Sequence, residues 1–219
     1  MALLAGGISM SQNVNKPNYS LKSHETLEIT RIETNPQATI IYLSLENKIN
    51  GGYFCADKNI FILYPDGKRS KLGSSKGIPV CPETYKFKSI GEKLNFQLVF
   101  PPLRSDVAWI DLIEECSENC ISFYGICLDA ELNRKIDDAS VLAENGQPVK
   151  SLLEFIKIAD QIGSSNSGVS GLVFMNIVEL SKETGNMEKA AEWYKKLKDS
   201  GIPRSDVYIR HLNSRGIVF

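Results

Sequence analysis

The chain has 219 residues, enough for one large domain or two small ones with a real core. Its 25 basic and 26 acidic residues leave a formal net charge of −1, and 42% hydrophobic with 23% charged residues is an ordinary globular composition. That balance supplies no basic excess for nucleic acid or an anionic membrane, locally basic patches aside, and no apolar run is long enough to span a bilayer as a helix.

Residues 1–11, MALLAGGISMS, are apolar and small, with Ser9 and Ser11 at the −3 and −1 positions of a signal-peptidase site. The following QNVNKPNYSLKSHE is polar and turn-rich, like the start of a mature secreted chain. A positively charged leader region is missing, which a start site placed too far downstream would explain. The competing reading is a loosely packed N-terminus of a cytosolic protein. No lipobox cysteine follows the apolar run, which argues against a lipoprotein. Residues 1–24 are therefore read as a truncated signal segment and flexible arm.

From residue 25 the pattern has period two. Leu27, Ile29 and Ile32 mark a half-buried strand, Asn35-Pro36 a turn, and 39–45 (TIIYLSL) a second strand. Gly51-Gly52 breaks the run before short strands at 53–56 and 59–64. Pro65-Asp66-Gly67 then predicts a hairpin with 69–72. Residues 73–82 read as a Gly/Ser/Pro-rich loop, and 84–88 as a short strand. Leu94, Phe96, Leu98 and Phe100 alternate with Asn95, Gln97 and Val99 in the cleanest strand of the chain. Strands at 107–113 and 121–128 complete an antiparallel sandwich of about eight strands over residues 25–130.

Beyond it the pattern changes. Residues 131–148 are polar and turn-prone and read as a linker. Leu152, Phe155, Ile156 and Ala159 then recur at helical spacing to about residue 163. A Ser/Gly linker is expected at 164–170, with helices at 171–184 and 187–199 separated by Gly185-Asn186. A short last helix reaches about residue 214, capped by Ser205-Asp206. The expected fold is α+β and multidomain, with a helical region of about four helices over 149–219.

All five cysteines lie in the β-rich part. Cys55 and Cys81 sit at strand edges beside loops, and Cys116 and Cys120 bracket an acidic turn. Two disulfides plus a buried Cys127 thiol is the preferred pattern, which suits an oxidising compartment; spacing alone leaves the connectivity open.

The run LVFMNIVELSKETGNMEKAAEWYKKLKDSGIP resembles a degenerate tetratricopeptide helix–turn–helix unit. Gly185 matches its inter-helix glycine, Ala190 its small residue and Tyr194 its aromatic. Phe174, Val178 and Ser181 depart from the pattern, and Pro203 falls one place late. The same run resembles a pentatricopeptide unit, which would imply RNA reading, but one unit cannot form the array that such reading needs. The β part resembles small immunoglobulin-like domains in uncharacterised secreted proteins of Gram-negative bacteria. Phe96-Leu98-Phe100-Leu103, Asp111-Ile113-Glu114, Cys116/Cys120 and Tyr124-Gly125-Ile126 carry that likeness. It implies a fold and a periplasmic or extracellular location, with no assigned activity.

Chemistry is sparse. His24 and His211 have no metal-ligand spacing, so no metal site and no cofactor is expected. No G-x-S-x-G turn or phosphate-binding glycine loop is present. Asp111, Glu114, Glu115 and Glu118 form the densest acidic cluster, a candidate glycan or calcium loop set against a solvated one. Tyr53, Phe54, Tyr85 and Trp109 are candidates for an aromatic face, with burial of most of them the preferred outcome. The preferred reading is an exported, non-enzymatic protein-interaction or assembly module of the cell envelope. Its partner would be another protein, met in the groove between the helices at 171–184 and 187–199, with Phe174, Ile177, Trp193 and Tyr194 as contact residues. Nucleic acid and integral membrane insertion are not expected. The alternative is a glycan- or small-ligand-binding accessory domain using the acidic loop.

Overall fold

The structure, a computed structural model, describes residues 12–117, 119–162 and 167–219. The expected signal segment at 1–11 and Glu118 lie outside these residues. Twelve strands and five helices are described, and the strands precede the helices as expected. The first five-stranded antiparallel sheet contains β1 (Gln12–Asn15), β3 (Leu27–Thr34), β4 (Thr39–Glu46), β10 (Lys93–Phe100) and β8 (Ser74–Lys76), in that order. The second contains β2 (Leu21–Lys22), β12 (Ser122–Cys127), β11 (Trp109–Glu114), β6 (Ile60–Leu63) and β7 (Arg69–Lys71). A two-stranded ribbon, β5 (Tyr53–Phe54) with β9 (Tyr85–Lys86), stands at one end.

Alternation dictates the first sheet. Ile41, Leu43 and Leu45 of β4 and Leu94, Phe96, Leu98 and Phe100 of β10 point inward, and the two strands pair from Lys93↔Glu46 to Phe100↔Thr39. Their intervening residues face solvent. The second sheet is different, because β11 and β12 are buried along almost their whole length. Ile110, Leu112, Phe123 and Ile126 fill the space between the sheets, whereas Trp109 and Cys127 join a second core shared with the helices. The order of layers is sheet, sheet, helices.

Three sequence expectations are corrected here. Residues 12–24, read as part of a flexible arm, are built into both sheets: β1 pairs with β3, and β2 with β12. Pairing of such short segments has no period to betray it. The linker expected at 131–148 is instead largely a helix, α1 (Ala130–Glu144), capped by Asp129, whose carboxylate accepts from the Leu132 N–H at 3.0 Å. It reads as polar because its buried Asn133 is a bracket: the side-chain amide donates to Cys127 O and Asp129 O, both at 3.0 Å, and accepts from the Asn18 N–H at 2.7 Å. The third correction concerns the Ser/Gly linker. Within it Ser167, Gly168, Val169 and Ser170 already belong to a helix, α3 (Ser167–Glu183).

The helices α2 (Pro148–Gln161), α3, α4 (Met187–Asp199) and α5 (Ser205–Ser214) follow one another in sequence and in space. Gly185 sits at φ +77° in the α3–α4 turn, and Asn186 caps α4 by accepting from the Lys189 N–H at 3.0 Å. Helix α5 is entered through Arg204 at φ +61°, with no side-chain cap from the expected Ser205-Asp206. Helix α3 is the centre of this layer, packed against β11, β12, α2, α4 and α5.

Candidate functional site

The four expected contact residues do not form a surface. Phe174, Ile177, Trp193 and Tyr194 are all buried. Trp193 packs edge-on against Phe174, with ring centres 5.1 Å apart, and Lys196 lies 3.9 Å over its ring. The Tyr194 hydroxyl hydrogen-bonds the Asn213 side-chain amide at 2.7 Å. Because α3 and α4 pack face to face, the groove between them is already filled by its own side chains.

The acidic cluster also disperses. Asp111 and Glu114 are both buried but lie in different surroundings. Asp111 faces the helices, where one oxygen accepts from the Gly125 N–H at 2.7 Å. The other oxygen meets the Arg204 guanidinium as an ion pair rather than as an aligned hydrogen bond. The Arg204 guanidinium also lies 4.8 Å from the Tyr124 ring centre. Glu114 accepts from the Asp57 and Ile121 N–H groups, each at 2.6 Å, and so stitches the β11–β12 turn to the segment before β6. Glu115 is exposed and pairs with Arg69 at 2.8 Å. Burial raises the carboxyl pKa of both Asp111 and Glu114 above the usual range, against the hydrogen bonds and, for Asp111, the Arg204 charge that pull it down. Among the described residues, no three His, Cys, Asp or Glu side chains gather to hold a metal ion. Of the aromatics, Trp109 is buried, Phe54 and Tyr85 are half-buried, and Tyr53 is exposed.

Cys55–Cys81 and Cys116–Cys120 are disulfides, and Cys127 is a buried thiol whose pKa burial pushes up to about 12. The bonds close loops of sequence separation 26 and 4. Loop-closure entropy then gives about 3.5 kcal/mol for the first and about 2 kcal/mol for the second. Cys55→Ser/Cys81→Ser should therefore lower the denaturant midpoint more than Cys116→Ser/Cys120→Ser does. A thiol-specific chromogenic reagent should leave the native chain unlabelled and should find one thiol, Cys127, once the unreduced chain is unfolded.

Both disulfides lie at the same end of the sandwich, where Glu114 holds the Asp57 N–H and His24 reaches both Asn119 O and the Phe54 ring. There sequence reasoning singled out the cysteines, Tyr53, Phe54, Tyr85 and the acidic loop, but neither Ile49 nor Ile90. The buried Asn47 organises that end. Its side-chain amide donates to Ile49 O at 2.9 Å and Ser89 O at 2.8 Å. Its backbone N–H donates to Glu92 O at 2.9 Å, and its carbonyl accepts from the Gly91 N–H at 2.8 Å. Gly52 is held so close that a Cβ there would stand 2.2 Å from Asn47 Oδ1. Glu92 accepts from the Tyr85 hydroxyl and from the Lys88 N–H, both at 2.6 Å, and the Phe87 N–H donates to Gly52 O at 2.9 Å. On this rigid base Ile49, Tyr53 and Ile90 stand out in solvent, 65%, 70% and 54% exposed. The signal for it in the sequence was faint: two isolated isoleucines in polar loops.

No family model matches the chain, and no curated protein or solved structure matches it either. The immunoglobulin-like and tetratricopeptide-like likenesses thus rest on the residues of this chain alone, and what stands is the coarser architecture of β-sheets followed by helices, with two disulfides. No helix among the described residues is long and apolar enough to cross a membrane. Two disulfides fit an oxidising compartment.

Proposed function

We propose that the chain is an exported, non-enzymatic attachment or assembly module of the cell envelope, and that it makes contact through the disulfide-held end of its sandwich. One observation carries the reading: Ile49, Tyr53 and Ile90 are held in water by a hydrogen-bonded and cross-linked base. Holding large apolar side chains in solvent on an ordered support has a cost and no benefit to folding, so a partner that covers them is the economical explanation. The buried ionisable groups Asp111, Glu114 and Cys127 are each explained by internal bonds or by packing, and so give no support to a catalytic reading.

The test is fractionation of cells that make the protein. Wild-type chain should be recovered with the envelope, and Ile49→Ser/Tyr53→Ser/Ile90→Ser should pass to the soluble extract at an unchanged melting temperature. Retention of the triple variant in the envelope would remove this end from consideration.

A further inference from the structure

The chain holds two Asn-Gly pairs, Asn50-Gly51 and Asn145-Gly146, and the fold treats them differently. An asparagine followed by glycine can modify itself. The backbone nitrogen of the glycine reaches the asparagine Cγ, because no Cβ on the glycine crowds the approach. The N–Cγ bond forms, the Cγ–Nδ2 bond breaks, and ammonia leaves carrying the proton of the glycine N–H. Water then opens the cyclic imide at either carbonyl. One opening gives aspartate. The other gives isoaspartate, in which the main chain runs through the side-chain carbon and is one carbon longer. Water is the only co-reactant.

The attacking nitrogen must first be free of any hydrogen bond. Exposure does not separate the two sites, since Asn50, Gly51, Asn145 and Gly146 are all exposed. Hydrogen bonding does. The Gly146 N–H closes the end of α1 by donating to Ala143 O at 2.9 Å. Its neighbours are tied to the same turn, Asn145 N–H to Val141 O at 3.0 Å and Gln147 N–H to Leu142 O at 2.9 Å. Among the described residues no partner holds the Gly51 N–H or the Asn50 side chain. The space beside Gly51 is open as well, with no atom within 4 Å of where a Cβ would stand. The residues on either side are anchored: the Asn47 amide holds Ile49 O at 2.9 Å, and Gly52 O accepts from the Phe87 N–H at 2.9 Å.

We infer that Asn50 is a self-modifying site, which in the folded chain converts to aspartate and isoaspartate while Asn145 is protected. The conversion places a carboxylate and, in the isoaspartyl form, one extra backbone carbon between Ile49 and Tyr53. The chemistry depends on this turn alone, whatever the surrounding apolar side chains meet.

Incubation of the full chain in mildly alkaline buffer tests it, native in one arm and unfolded in guanidinium chloride in the other. After reduction, cleavage at lysine separates the two sites as residues 49–58 and 136–150, each with a single asparagine. In the unfolded arm both peptides should deamidate at similar rates, because the reacting pair is the same. In the native arm Asn50 should keep most of its rate, whereas Asn145 should slow by about tenfold, the weight of one hydrogen bond that must open first. An isoaspartyl methyltransferase should label the aged native chain, and Asn50→Gln should abolish most of that label with the melting temperature unchanged. Native Asn50 slowed as much as Asn145 overturns the inference, as does label that persists in Asn50→Gln.

Discussion

Arg204→Ala is expected to lower the unfolding free energy by about 3–5 kcal/mol at neutral pH, the usual cost of leaving a buried charge without its partner. For a chain of this size that is a fall of about 10 °C in melting temperature. Asp111 lies fully inside the protein and Arg204 is mostly covered, so removing the guanidinium leaves a carboxylate facing Tyr124, Tyr208 and the Gly125 N–H with no cation. The loss has a definite dependence on pH. Burial already raises the Asp111 pKa in the folded chain above its unfolded value near 3.8, so the stability it contributes is complete below that value and is lost as pH rises through the folded pKa. Without Arg204 the folded pKa rises further. The gap between wild type and Arg204→Ala should therefore be widest at neutral pH and should narrow on acidification, as denaturant midpoints measured across the acid range would show. A gap that stays constant with pH would mean that Arg204 acts through packing rather than charge. Asp111→Asn/Arg204→Met, which removes both charges, should recover much of the loss.

Gly168→Ala is expected to destabilise by about 3 kcal/mol, although alanine is the better helix former by about 1 kcal/mol. A Cβ at Gly168 would lie 2.1 to 2.4 Å from three carbons of the Trp109 ring, and that ring is buried in the joint between β11 and α3. A rigid buried ring cannot move aside as an exposed lysine tip could, so the steric term outweighs propensity. Gly171 repeats the arrangement against Tyr208, 2.1 Å away, and Gly125 lies so near Gly168 that a Cβ there would meet its carbonyl oxygen at 2.3 Å. These three glycines set how closely the helical layer approaches the second sheet. Loosening the joint should expose Trp109, so the emission of Gly168→Ala should shift to the red at denaturant concentrations where wild type is unchanged. A stabilised Gly168→Ala would show that the helix can slide without loss.

Both effects turn on contacts that are silent in the linear chain. Asp111 looked like a member of an acidic loop because Glu114 and Glu115 stand beside it. Strand geometry and a shift in pairing register between Ile110 and Leu112 send these side chains into separate environments, and the cation that matters comes from the entrance to α5. Trp193 looked available to a partner because it stands beside Tyr194, which the helical spacing placed with Ala190 and Leu197 on the packed side. Only the packing of α4 on α3 shows that Phe174 and the Lys196 stem enclose it. Gly168 looked like linker because glycine and serine mark flexible chain when no neighbour is known. Here the missing side chain is what the neighbour requires.

What was legible without coordinates is local. Alternation at Leu94–Phe100 predicted β10, and Pro65-Asp66-Gly67 the β6–β7 hairpin, because a half-buried strand and a tight turn each impose a short-range rule on residue type. Gly185-Asn186 likewise marked the α3–α4 turn, where a positive φ and a side-chain cap are needed whatever lies nearby. The helix hidden in 131–148, the burial of β11 and β12 on both faces, and the disulfide-held end were decided by tertiary structure. Each depends on which distant surface arrives to cover a residue or leaves it in water, and that follows from the packing of three layers rather than from any repeat along the chain.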